Sequence, residues 1–185
     1  MAENRKLAPT TLLILLAVAS FAAAAVTITN ITEWHVQSAG TPPIVKVAGA
    51  DVDVSLLSVS TYTNTQDGTN RTVITIKGYT GDPTYYSEAI KICNKDTTKT
   101  YSVKLVYKGL LGGDFTYVQY LKLWLGSAGP LTITSSTAQD GSVYIGPVNV
   151  GPNSCVSVPA EVLVKPGAPT GSDLVSVEVD VVSTG

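Results

Sequence analysis

The chain has 185 residues and a formal net charge of −2, with 14% charged residues against roughly 25% in ordinary soluble proteins. Beyond the adjacent Arg5 and Lys6 its Lys and Arg are scattered singly, so no basic surface neutralises a run of phosphates and nucleic-acid binding is set aside. One histidine, His35, and two cysteines, Cys93 and Cys155, are too few for a paired-histidine metal helix or a thiolate zinc site.

The chain opens on MAENRKLAPTTLLILLAVASFAAAAV. Arg5 and Lys6 precede an apolar run from Leu12 to Val18, and small residues follow at Ala23 to Ala25, the order of a secretory signal peptide. The apolar stretch is shorter than the roughly 20 residues that cross a bilayer comfortably. Cleavage after Ala24 or Ala25 is expected, which divides the chain into a signal at 1–25, an N-terminal segment at 26–40 and a domain at 41–185. The membrane is then met only during export, and the mature protein is secreted. The alternative is a type IV pilin-like subunit that keeps its apolar helix.

After that cut the chain begins VTITNITEWHV. Val26 and Ile28 face one side of a strand, Thr27, Thr29 and Ile31 the other, and the apolar Trp34 and Val36 follow. The segment is β-prone and meets no turn signal before Ser38-Ala39-Gly40. Its plain reading is an edge strand of its own sheet. The functional reading is strand donation, in which Val26, Ile28, Ile31, Trp34 and Val36 complete the sheet of a neighbouring copy. One-way donation is a head-to-tail contact and builds a filament when its rotation does not close.

Beyond residue 40 the two-residue alternation of half-buried strands recurs. It predicts strands at Asp51 to Tyr62, Arg71 to Tyr79, Tyr86 to Asn94, Tyr101 to Lys108, Tyr117 to Leu125, Leu131 to Thr134, Ser142 to Val148, Ser154 to Val164 and Val175 to Val181. Turn dipeptides such as Asp67-Gly68, Asp140-Gly141 and Pro166-Gly167 fall between them. GYTGDPTY, Gly78 to Tyr85, and LLGGD, Leu110 to Asp114, read as surface loops. The fold class is therefore all-β, an antiparallel β-sandwich or jelly roll of nine or ten strands. In an exported protein Cys93 and Cys155 are expected to form a disulfide. Asn30-Ile31-Thr32 and Asn70-Arg71-Thr72 are glycosylation sequons at Asn30 and Asn70.

Catalytic equipment is sparse. His35 lies in the N-terminal segment, where a Ser-His-Asp triad is hard to assemble, so no enzyme activity is expected. Asp51 with Asp53, and Glu178 with Asp180, would share strand faces, where the plain reading is a solvated surface. These acids, or Asp67, Asp82 and Asp114 in loops, offer at most weak calcium binding, and no other cofactor is expected. Trp124, Tyr85 and Tyr86 are the aromatic residues on which a secreted glycan-binding jelly roll would rely.

A signal ending in small residues, the β-prone VTITNIT directly after it, and a Val- and Thr-rich domain of low charge resemble the TasA-like secreted fibre subunits, especially those of archaeal bundling pili. Archaeal cannula subunits are similar in plan. The resemblance is one of layout along the whole chain. It implies donor-strand assembly of identical subunits into extracellular filaments that bundle with neighbouring filaments in a biofilm. Some TasA relatives carry the camelysin metallopeptidase label. This sequence departs from that activity by lacking a second histidine and a metal-ligand cluster.

Overall fold

The computed structural model describes residue 32, residues 41–53, 55–63 and 65, and residues 70–185. The described chain is all-β: β1 Ile44–Ala48, β2 Leu57–Thr63, β3 Asn70–Ile76, β4 Pro83–Asn94, β5 Tyr101–Gly113, β6 Val118–Leu125, β7 Ala128–Ile133, β8 Tyr144–Val150, β9 Cys155–Val164 and β10 Val175–Thr184. They make three antiparallel sheets, ordered β1-β4-β9-β6-β7, β10-β5-β8 and β2-β3. This is a β-sandwich in which one five-stranded layer faces a layer made of two separate pieces.

Alternation explains the layering. On β5, Val103, Leu105 and Tyr107 are buried, and on β9 so are Val158, Ala160, Val162 and Val164. These inner faces, Ala160 excepted, make the main core together with Ile90 and Ile92 of β4, and Val175, Val177, Val179 and Val181 of β10 pack against it. Burial of each such aliphatic side chain stabilises the fold by about 1.5–3 kcal/mol. The β2-β3 piece contributes Leu57 to a second cluster with Tyr86, Ala89 and Ala160.

The two ends of the sandwich differ. At one, the buried Asn94 amide donates to the carbonyls of Lys99, Val150 and Gly151 at 2.7, 3.1 and 3.0 Å, tying two connections together. Asp96 beside it accepts from the Thr98 and Lys99 N–H groups and from Tyr101 Oη. The backbone donors, Thr98 first, pull its carboxyl down to about 2. Ile44 pairs with Asn94, and Thr184 with Ser102, at this Asp96 end. At the opposite, Asp114 end, Asp114 N–H donates to Leu174 O and Gly81 N–H to Val164 O.

Three expectations need correction. The strand predicted from Asp51 begins only at Leu57, because Asp53 turns the chain: its carboxylate accepts from Ser55 N–H at 3.0 Å and its carbonyl from Leu57 N–H at 2.8 Å. The loop read at Leu110 to Asp114 is strand through Gly113. Leu110, Gly112 and Gly113 pair with Val177, Ser176 and Val175, and a Cβ on Gly113 would collide with the Leu174 carbonyl, so glycine here permits close approach rather than a loop. Likewise β4 starts at Pro83, inside the loop expected from Gly78 to Tyr85. β1, a five-residue edge strand, was not anticipated.

Candidate functional site

Among the described residues β3 pairs only with β2, and β10 only with β5. Both line one open trough of about 800 Å3, walled by Thr72 to Gly78 on one side and Asp173 to Val177 on the other, with Leu121, Val162 and Val164 on its floor. A recess of about 70 Å3 continues the gap between Ile74 or Ile76 and Val179 or Val181, over Val158 and Ala160. The floor is the inner face of the five-stranded sheet. Among the described residues no strand of the opposing layer covers this floor between β3 and β10, and Ile74 stands 36% exposed.

The walls run in opposite directions. Thr80, just beyond β3, bridges Val164 at the Asp114 end, while Thr72 shares the recess with Lys46 and Val181 toward the Asp96 end. β10 starts opposite Gly113 and finishes opposite Ser102. Both register shifts in that pairing place the extra residue on β5, at Leu111 and Lys108, which leaves β10 itself regular. An unpaired, regular edge beside an apolar floor can accept a strand through main-chain hydrogen bonds and side-chain burial.

Of the residues singled out in the sequence, Cys93 and Cys155 meet in a disulfide. They sit directly opposite one another on β4 and β9, Cα atoms 4.0 Å apart, so the bridge staples neighbouring strands of one sheet. Such a bond fits a non-reducing environment. Val26, Ile28, Ile31, Trp34 and Val36, with Asn30 and His35, lie outside the described residues. Asn70 begins β3 opposite Thr63.

No family model and no curated protein matches the chain. Its chemistry is therefore read from its own side chains. Among the described residues no three His, Cys, Asp or Glu side chains cluster as metal ligands, and no helix is long and apolar enough to cross a membrane. Asp51 accepts from Ser87 Oγ and Glu88 N–H at 2.9 and 2.8 Å, a structural tie across 36 residues of chain. Asp114 accepts from Thr116 N–H, and hydrogen bonds to Thr116 hold its carboxyl below the usual range.

The aromatic candidates separate. Tyr86 is buried, its hydroxyl donating to Lys77 O at 2.6 Å, which removes it from any surface site. Tyr85 is 56% exposed and meets Trp124 edge-on, centroids 5.9 Å apart. Beside them Lys122 Nζ pairs with Glu161 at 2.9 Å and lies 4.1 Å from the Tyr120 ring centroid. Hydrogen bonds from Lys122 and then Tyr120 lower the Glu161 pKa. The pair keeps both members charged near neutral pH, Lys122 held above its usual range by Glu161 and Glu161 held below its own by Lys122.

The trough itself was not legible in the sequence. RTVITI in β3 and VSVEVDV in β10 each read as half-buried strands, and alternation shows which face is buried without showing which edge lacks a partner.

Proposed function

We propose that this chain is a non-catalytic structural subunit of an extracellular filament, a bundling pilus or biofilm matrix fibre, assembled by donor-strand complementation. One observation carries the reading: the open trough with an apolar floor between β3 and β10, whose facing edges have no strand partner among the described residues. Exposed strand edges invite uncontrolled association unless something covers them, and a strand from an identical subunit covers both at once. The segment 26–36, released by removal of the signal at 1–25, is the donor. Val26, Ile28, Ile31, Trp34 and Val36 supply its apolar side chains, and Asn30 and Asn70 carry glycans on the exported protein. The disulfide supports a destination outside the reducing cytoplasm.

Protein starting at Val26 is expected to form filaments visible by electron microscopy, and protein starting at Thr41 to stay folded and unpolymerised. The same filaments from the shorter protein would sink the reading.

A second reading, saccharide binding, has the exposed Tyr85–Trp124 pair beside Lys122 and Glu161 in its favour. Aromatic faces stack on sugar rings while charged groups reach hydroxyls. On this reading a glycan array gives hits that Trp124→Ala removes; an array without hits ends it.

A further inference from the structure

The direction in which a strand enters the trough decides whether this chain makes filaments or closed dimers, and the two ends of the domain favour one direction. This rests on the strand-donation reading above. A donor segment at 26–36 is joined to its own domain by residues 37–43, which reach at most about 25 Å. Its own β1 starts with Ile44 at the Asp96 end. Whichever mouth of the acceptor trough receives residue 36 must therefore lie against the donor's Asp96 end.

Two geometries follow. If residue 36 sits at the acceptor's Asp96 mouth, like ends meet, each copy can donate to the other, and the exchange closes as a two-fold dimer. If it sits at the Asp114 mouth, unlike ends meet and the contact repeats without closing.

The surfaces select the second geometry. The Asp114 mouth exposes the large apolar side chains of Tyr79, Leu111 and Tyr117, by 63%, 58% and 38%, which a docked neighbour would cover. Docking of a neighbour's Asp96 end there takes these side chains out of water, whereas contact between two Asp96 ends leaves them exposed on both copies.

We propose that a second copy docks its Asp96 end on the Asp114 end of the first, its strand 26–36 running antiparallel to β10 and parallel to β3. Because β3 and β10 oppose one another, one inserted strand must be parallel to one of them. This polarity gives the somewhat stronger antiparallel ladder to the ten-residue β10 and the parallel one to the seven-residue β3.

Two double variants, Trp34→Cys with Val175→Cys and Trp34→Cys with Val181→Cys, test the polarity. The two acceptor positions are about 20 Å apart along β10, so a short bismaleimide distinguishes them even if the register is offset by one residue. In assembled protein the first pair is expected to give a ladder of cross-linked multimers on a denaturing gel, the second none. Cross-linking confined to the second pair, as discrete dimers, overturns the polarity. Filaments with neither cross-link overturn it too, by placing the strand outside this trough. Absence of filaments in the parent protein instead removes the donation reading on which it rests.

Discussion

Reduction of the Cys93–Cys155 bridge is expected to lower the melting temperature of the domain by on the order of 10 °C. The bond closes a loop across 62 residues of sequence, and on the chain-entropy account such a cross-link stabilises the folded state by about 4 kcal/mol through restriction of the unfolded chain. For a domain of this size each kcal/mol corresponds to about 3 °C. The double variant Cys93→Ala with Cys155→Ala is expected to behave as the reduced protein does. Differential scanning calorimetry with and without reductant checks both, and an unchanged melting temperature would show that the β4–β9 pairing needs no staple. The bridge lies at the Asp96 end of β9, at Cys155, while the trough floor uses the later residues Val162 and Val164. Reduction below the new melting temperature should therefore leave any filament's architecture unaltered.

The sandwich was legible because its signal is local. Tyr101, Val103, Leu105 and Tyr107 alternate with Ser102, Lys104, Val106 and Lys108 and are the inner face of β5, and Val175, Val177, Val179 and Val181 of β10 line up in the same way. The errors fell where a local pattern competes with pairing. Gly112 and Gly113 look like a loop until the close approach of Leu174 is known, and Asp51 to Leu56 looks like a strand until Asp53 folds it into a turn. The disulfide was legible from cysteine count and expected compartment, but its direct cross-strand register was not. The candidate site was the least legible part, because it is defined by edges without a strand partner among the described residues. Ile74, Ile76 and Val177 carry the same alternation whether a neighbouring strand covers them or water does. Only the three-dimensional order of β3 and β10 reveals that their edges border one gap.

Placing a charge on the trough wall is expected to separate folding from assembly. Val177→Asp puts a carboxylate on β10 at the lip of the trough, where in the isolated subunit water still reaches it, so the domain should lose only about 1–2 kcal/mol of stability. Covered by an inserted strand, the same group is desolvated beside apolar side chains, at a cost of at least about 4 kcal/mol. At 1.4 kcal/mol per factor of ten, the concentration needed for assembly should rise on the order of 1000-fold, which sedimentation of serial dilutions measures. The pH dependence has a definite sign. Burial raises the pKa of the introduced carboxyl in the assembled state above its value of about 4 in the free subunit. The penalty is therefore full well above the raised pKa and fades as pH falls through it, so the variant should recover assembly in mild acid relative to unsubstituted protein at the same pH. Val177→Asn, polar but uncharged, should show a smaller defect that does not recover in acid. Assembly of Val177→Asp at the parent concentration near neutral pH would mean that no strand covers this wall.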